Sequence, residues 1–262
     1  MRSLVHSLAA LLLALASAPA LPASGYDIGD MWWVPSEPGW GAEFVQQRDT
    51  VFAVLYVQGP DQRPDWYSAT LFFQGLEPQT HQVTYAGDLY EAQGAWFGVP
   101  AYAITGMRKV GTMSVVAPTM TSATLTYTVD GTSVTKPIAR YTFRYEQYAP
   151  AYDATSHLEL TSCTNPADNG AFVHHPTYAM TLAGLQMTIA ETDGVRSCTY
   201  VGPYTQDGRL GRVQSTYTCN NGEVGAMTFE EMNVQRFGLV GKLFGANNRG
   251  CHIEGSFGAV PQ

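Results

Sequence analysis

The chain has 262 residues, 45% apolar and 14% charged, enough apolar matter for a packed core and too little charge for a disordered chain. Fourteen Lys and Arg against 22 Asp and Glu give a net charge of −8, which repels phosphate backbones and anionic membranes and argues against nucleic-acid binding. Aromatic content of 12%, with 26 Gly and 15 Pro spread along the chain, predicts an all-β protein of short strands and many turns. It excludes coiled coils, helical solenoids and collagen.

Residues 1–23 read as an export signal. Arg2 supplies the positive start, Leu8 to Ala16 the apolar stretch, and Ser17 to Ala23 a small-residue boundary, with cleavage after Ala20 or Ala23. The first cysteine is Cys163, so no lipid-anchored Cys follows the leader, and no later apolar run is long enough to cross a membrane as a helix. Cleavage removes Arg2 and no acid, so the mature charge is 13 − 22 = −9. The predicted location is the periplasm or the medium.

Residues 24–150 form a cysteine-free, aromatic-rich module. Candidate strands are 41–47, 50–57, 66–74, 81–91, 94–98, 106–116, 122–129 and 132–145, several with strict alternation. Leu125, Tyr127 and Val129 share one face, and Thr124, Thr126 and Thr128 the other. Asp130-Gly131 follows as a hairpin turn. Val51 to Val57 is apolar on both faces, the pattern of a strand buried on both sides. Eight strands in an antiparallel meander are enough to close an up-and-down barrel.

Periodicity lapses from Glu146 to Asp153, and residues 151–262 form a smaller, disulfide-bearing β module. Leu185, Met187 and Ile189 share a face, as do Val213, Ser215, Tyr217 and Cys219. Asp193-Gly194, Asp207-Gly208 and Asn221-Gly222 mark successive hairpins. Thr228 to Glu231 has capping-box form, yet its neighbours favour a strand. Four cysteines in an exported chain predict two disulfides with three possible connectivities. Placing Asp207-Gly208 at the centre of its turn pairs residues whose numbers sum to 415, so Cys198 faces Tyr217 and misses Cys219. The favoured pairing is therefore Cys163–Cys198 with Cys219–Cys251, and Cys198–Cys219 is the competitor. No C-x-x-C occurs, so zinc is not expected.

The segment Met31 to Gly41, which reads MWWVPSEPGWG, is distinctive. It is followed by Phe52-Ala53 and by Pro64-Asp65-Trp66-Tyr67. Together these resemble a module of uncharacterised bacterial secreted proteins with the pattern W-W-x-P-x-x-x-G-W-G, then F-A, then P-x-W-Y. Val34 stands where that pattern has Asn. The resemblance implies an exported β-rich domain and no catalysis. Trp33, Trp40, Trp66 and Tyr67 have two readings: aromatics plugging a barrel end, or an open platform for a sugar ring or apolar ligand.

Catalytic signatures are lacking: there is no H-E-x-x-H, G-x-S-x-G, P-loop or dinucleotide fingerprint. His174-His175 is the one histidine cluster, and adjacent strand residues point to opposite faces, so the pair does not make a metal site on a strand. Glu37, Glu43, Asp65 and Asp88 near the aromatic motif are acid–base candidates only if two of them converge. No cofactor is called for. The sequence thus predicts an exported non-enzymatic binding or interaction module, its partner a small molecule, glycan or protein. The alternative is a secreted glycosidase or esterase with a carboxylate or Ser–His site. An outer-membrane barrel fits poorly with Gln262 at the end and with Thr- and Arg-bearing strand faces.

Overall fold

The computed structural model describes residues 26–96, 98 and 104–262. The predicted leader lies outside them. The architecture is two closed antiparallel barrels in tandem. One short 3₁₀ turn, Pro166–Asp168, is the exception to an otherwise all-β chain among the described residues.

The first barrel runs β1 (Asp30–Trp33), β2 (Gly41–Gln47), β3 (Thr50–Gln58), β4 (Pro64–Leu76), β5 (Val83–Gly94), β6 (Ile104–Ala117), β7 (Ser122–Val129) and β8 (Thr132–Arg140). Each strand pairs with the next, and β1 closes the ring on β8 through Trp32 opposite Arg140. Alternation decides what is inside. Val51, Ala53 and Leu55 are fully buried, as are Leu125, Val83, Tyr85 and Leu89. Their neighbours Phe52 and Tyr56 are 48% and 43% exposed, which corrects the expectation that Val51 to Val57 is covered on both sides. Small inward residues such as Ala42, Ala53 and Ala69 leave room for Trp32, Phe44 and Tyr85, so side chains fill this barrel.

The count of eight strands agrees with the sequence reading, but the membership differs. Asp30–Trp33 forms a four-residue strand within the tryptophan motif. Gly94 ends β5, Ala95 and Trp96 are not strand, and residue 97 lies outside the described residues. Strand β8 stops at Arg140, because Tyr141 leaves the barrel after one last bond from its N–H to the Met31 carbonyl.

Residues 141–150 lead into the second barrel: β9 (Ala151–Thr161), β10 (Gly170–His174), β11 (Thr177–Ala183), β12 (Gln186–Thr192), β13 (Ser197–Asp207), β14 (Leu210–Cys219), β15 (Val224–Gln235), β16 (Gly238–Asn247) and β17 (His252–Pro261). Strand β9 closes the ring by pairing with β17 on one edge and β11 on the other. Strand β10 pairs with β9 alone. The break falls at His175-Pro176, where Pro176 has no N–H to donate to a ladder. Thr228 to Glu231 lies within β15, as the strand reading expected.

The disulfides are Cys163–Cys251 and Cys198–Cys219, so the favoured pairing is corrected. The cause is a one-residue shift of the β13–β14 turn. Asp207 pairs with Leu210, so Gly208 and Arg209 are the central residues and paired numbers sum to 417. Cys198 then lies directly opposite Cys219, with Cα atoms 4.0 Å apart. Gly208, at φ 61°, fills the first central position, where two-residue hairpins of this kind require a left-handed residue.

That turn also latches the barrels. The Arg209 N–H donates to Asp30 Oδ2 at 3.3 Å, its guanidinium pairs with Asp27, and the Gly208 N–H donates to Thr142 Oγ1 at 2.8 Å. A Cβ on Gly208 would stand 2.4 Å from Asp30 Oδ2, so the close approach needs glycine twice over.

Candidate functional site

The four aromatics singled out from the sequence do not form one surface. Trp33 is half-buried outside the barrel, its ring 4.9 Å from Tyr141 in an edge contact. Trp66 is 48% exposed on the outer face, across the ladder from Tyr56. Trp40 is half-buried against the first core, donates from Nε1 to Tyr127 Oη at 3.2 Å, and has Lys136 Nζ 5.5 Å above its ring. Tyr67 is buried and donates to Asp65 Oδ2 at 2.8 Å. Burial, aided by Asp65, pushes its hydroxyl up to about 12. The fully packed indole is Trp32, which donates from Nε1 to the Ile28 carbonyl.

The carboxylates near the motif do not converge either. Glu37 pairs with Lys136, Asp88 with Lys109, Glu43 accepts from Tyr56, and Asp65 accepts from Tyr67. His174 and His175 point apart, His174 to Asp193 and His175 to Thr155. No cluster of metal-binding side chains occurs among the described residues.

The candidate site is a cavity in the second barrel. A cavity of about 460 Å³ opens at the end where the β12–β13, β14–β15 and β16–β17 turns meet β10. Its wall is apolar and aromatic: Tyr178, Tyr200, Tyr217 and Phe229, with Met227, Leu243 and Ile253. The rings pack edge to face, Tyr200 lying 5.2 Å from Phe229. Strand alternation builds this wall, since Val213, Ser215 and Tyr217 all face inward, as do Met187 and Ile189.

The same alternation carries Glu191 inward, two residues after Ile189. Its side chain is only 8% exposed, as is that of Glu223. Arg196 spans the two, with Nη1 3.1 Å from Glu191 Oε1 and Nη2 3.1 Å from Glu223 Oε1. Arg249 reaches Glu223 Oε2 at 2.8 Å. Tyr200 donates to Glu191 at 2.8 Å and Tyr217 to Glu223 at 2.9 Å. Burial, reinforced by those glutamates, raises both tyrosine hydroxyls far above the ordinary range, so they stay protonated as donors. Burial works against the charge of Arg196, but Glu191 and Glu223 outweigh it and raise its pKa. Deeper in, Ser156, 1% exposed, bonds the Tyr178 hydroxyl at 2.9 Å.

The rim is braced covalently and by β10. Cys163–Cys251 ties the end of β9 to the β16–β17 turn, and Cys198–Cys219 joins β13 to β14. No main-chain ladder links β10 to β12. Instead His174 spans the gap, 3.0 Å from Asp193 and 3.6 Å from Glu191. The sequence reading singled out the four cysteines and His174, but not Glu191, Arg196, Glu223 or Arg249. The available signal was a carboxylate, Glu191, continuing an apolar strand face two residues before a predicted turn.

Comparison of the chain with family models, curated proteins and solved structures returns no match.

Proposed function

We propose that the protein is an exported, non-enzymatic binding module that takes a small amphipathic molecule into the mouth of its second barrel. The carrying observation is the cavity of about 460 Å³, within the range of small-molecule sites, with an aromatic wall and a polar rim at one open end. Barrel mouths of eight strands suit one small ligand. The first barrel, filled by its own side chains, serves as the support to which the Gly208-Arg209 turn is latched.

Export is supported by the leader-like residues 1–23, by two disulfides, which persist in oxidising compartments, and by the tryptophan motif's likeness to secreted modules. Hydrolysis is the weaker reading. Glu191 and Glu223 face the cavity, but Arg196, Arg249 and two tyrosines already occupy their oxygens, and Ser156 bonds Tyr178 rather than a histidine.

The test is a panel of small amphipathic compounds followed by NMR of the mature protein. Binding should shift the ring resonances of Tyr178, Tyr200 and Tyr217. Shifts confined to the first barrel, or none across the panel, would overturn the assignment. N-terminal sequencing of the protein recovered from a bacterial periplasm or medium should begin at Leu21 or Ser24, and Met1 would remove the export argument.

A further inference from the structure

Resting on that reading of the cavity, we infer that the ligand is an extended peptide, which adds a strand to the open edge of β10 and places one apolar side chain in the mouth of the second barrel. Strand β9 pairs along one edge with β17, from Tyr152 to Thr161. Its other edge is shared: Ala151, Tyr152 and Asp153 pair with β11, and Ser156 to Leu160 pair with β10. Strand β10 therefore lies in line with β11. The far edge of β11 is taken by β12, but β12 ends at Thr192 opposite Thr177, so no strand continues beside β10. Among the described residues, no backbone N–H or carbonyl of Gly170 to His174 makes a hydrogen bond outside the β9 ladder. A row of main-chain groups left open in this way is a template for another extended chain.

Side chains tie that open edge to the cavity. Phe172 and His174 share a face with Leu158 and Ser156, their partners across the ladder, and all four line the cavity. Ala171 and Val173 share the opposite face with Glu159 and His157. Phe172 is 47% exposed although it stands on the cavity side, so apolar surface at the mouth is left uncovered. An incoming apolar side chain meets Phe172 at the mouth and Tyr178, Tyr200 and Phe229 on the wall. A cavity of about 460 Å³ takes one such anchor, and β10 has five residues, so the segment recognised is a short strand with a single apolar side chain turned inward. A second copy of the chain suits the edge less well. The net charge of −8, with Asp168 and Asp193 beside the cavity, sets two copies against each other.

The experiment uses the mature, disulfide-intact protein and the blocked peptide acetyl-Thr-Val-Phe-Val-Thr-amide. Two analogues carry N-methyl groups, one on both valines and the other on the phenylalanine. Neighbouring amides of an extended chain point to opposite edges, so only one analogue loses the hydrogens that face β10. By calorimetry that analogue should bind about tenfold more weakly than the parent, the loss of one or two hydrogen bonds, and the other should stay within about twofold. With the parent peptide bound, ¹H–¹⁵N NMR should show alternate amides of Gly170 to His174 protected from exchange, and the rings of Tyr178 and Tyr200 should shift. Phe172→Ser, at an exposed position, should weaken the peptide severalfold without moving the melting temperature. Equal affinity of the three peptides, or ring shifts without protection of β10, would overturn the pairing and leave the cavity assignment standing. A dimer in sedimentation that the peptide fails to dissociate would also overturn it, because a second copy then holds the edge. If the peptide leaves the cavity rings unmoved while 2-ethylnaphthalene shifts them, the peptide class is overturned and the cavity stands. If neither compound shifts them, the underlying binding reading fails as well.

Discussion

Replacing Arg140 by Met should destabilise the first barrel by about 3–5 kcal/mol, the cost of breaking a buried ion pair by removing one partner. The side chain of Arg140 is fully buried and that of Asp30 8% exposed, with Nη1 2.8 Å from Asp30 Oδ2. The same guanidinium donates to the carbonyls of Asp27, Gly29 and Met120, and lies 5.1 Å from the Trp32 ring centroid. Burial lowers the Arg140 pKa and Asp30 opposes that shift, the balance expected of a desolvated charge held by its partner. Methionine fills the space of the stem but strands three carbonyls and leaves Asp30 with backbone donors alone. The assay is urea unfolding followed by tryptophan fluorescence, which reports the first barrel because all five tryptophans precede residue 97. A loss below about 1 kcal/mol would refute the reasoning, since it would put the buried pair on a par with a surface one.

Thiol titration of the denatured, unreduced protein should find no free cysteine, and peptide mapping should recover Cys163–Cys251 and Cys198–Cys219; a peptide joining Cys163 to Cys198 would contradict the β13–β14 register. By loop entropy, removing the first bridge, with sequence separation 88, should cost about 4.6 kcal/mol, and the second, with separation 21, about 3.3 kcal/mol, both read from denaturation midpoints. Backbone N–H groups of Val195 and Arg196, and then His174, pull the Asp193 carboxyl down to about 2. Its contribution is therefore complete above the unfolded value near 4 and is lost as pH falls towards about 2, so Asp193→Asn should flatten the stability profile between about pH 5 and 2. An unchanged acid limb would argue against the turn geometry. Trp32→Ala should cost about 3–5 kcal/mol and half-buried Trp40→Ala about 2 kcal/mol, with equal losses inconsistent with their different burial.

Much of the fold was legible because burial follows period two. The spans 41–47 and 122–129 coincide with β2 and β7, and the faces Leu125–Tyr127 and Val213–Tyr217 point inward as alternation requires. Three local features were not legible. Four residues, Asp30–Trp33, are too short for a periodic signal. Asp-Gly suggests a turn without saying which residue sits at its centre, and one position at Gly208 decided the cysteine pairing. Phe52 and Tyr56 look like core residues yet stand on the outer face of a closed ring, where composition alone does not set the side. The cavity rim was hidden for a different reason. Glu191, Arg196, Glu223, Asn247 and Arg249 lie in or beside three separate turns, and only ring closure brings those turns to one end.

Ring closure also imposes an order of events on the chain. Trp32 meets Arg140, and Ala154 meets Ala259, each across roughly a hundred residues. Neither ring can shut until its final strand exists, so both halves should assemble slowly for their size. A nascent chain released before β17 emerges would carry one finished ring and one gaping sheet, with the bare flanks of β9 and β16 open to pairing with other chains.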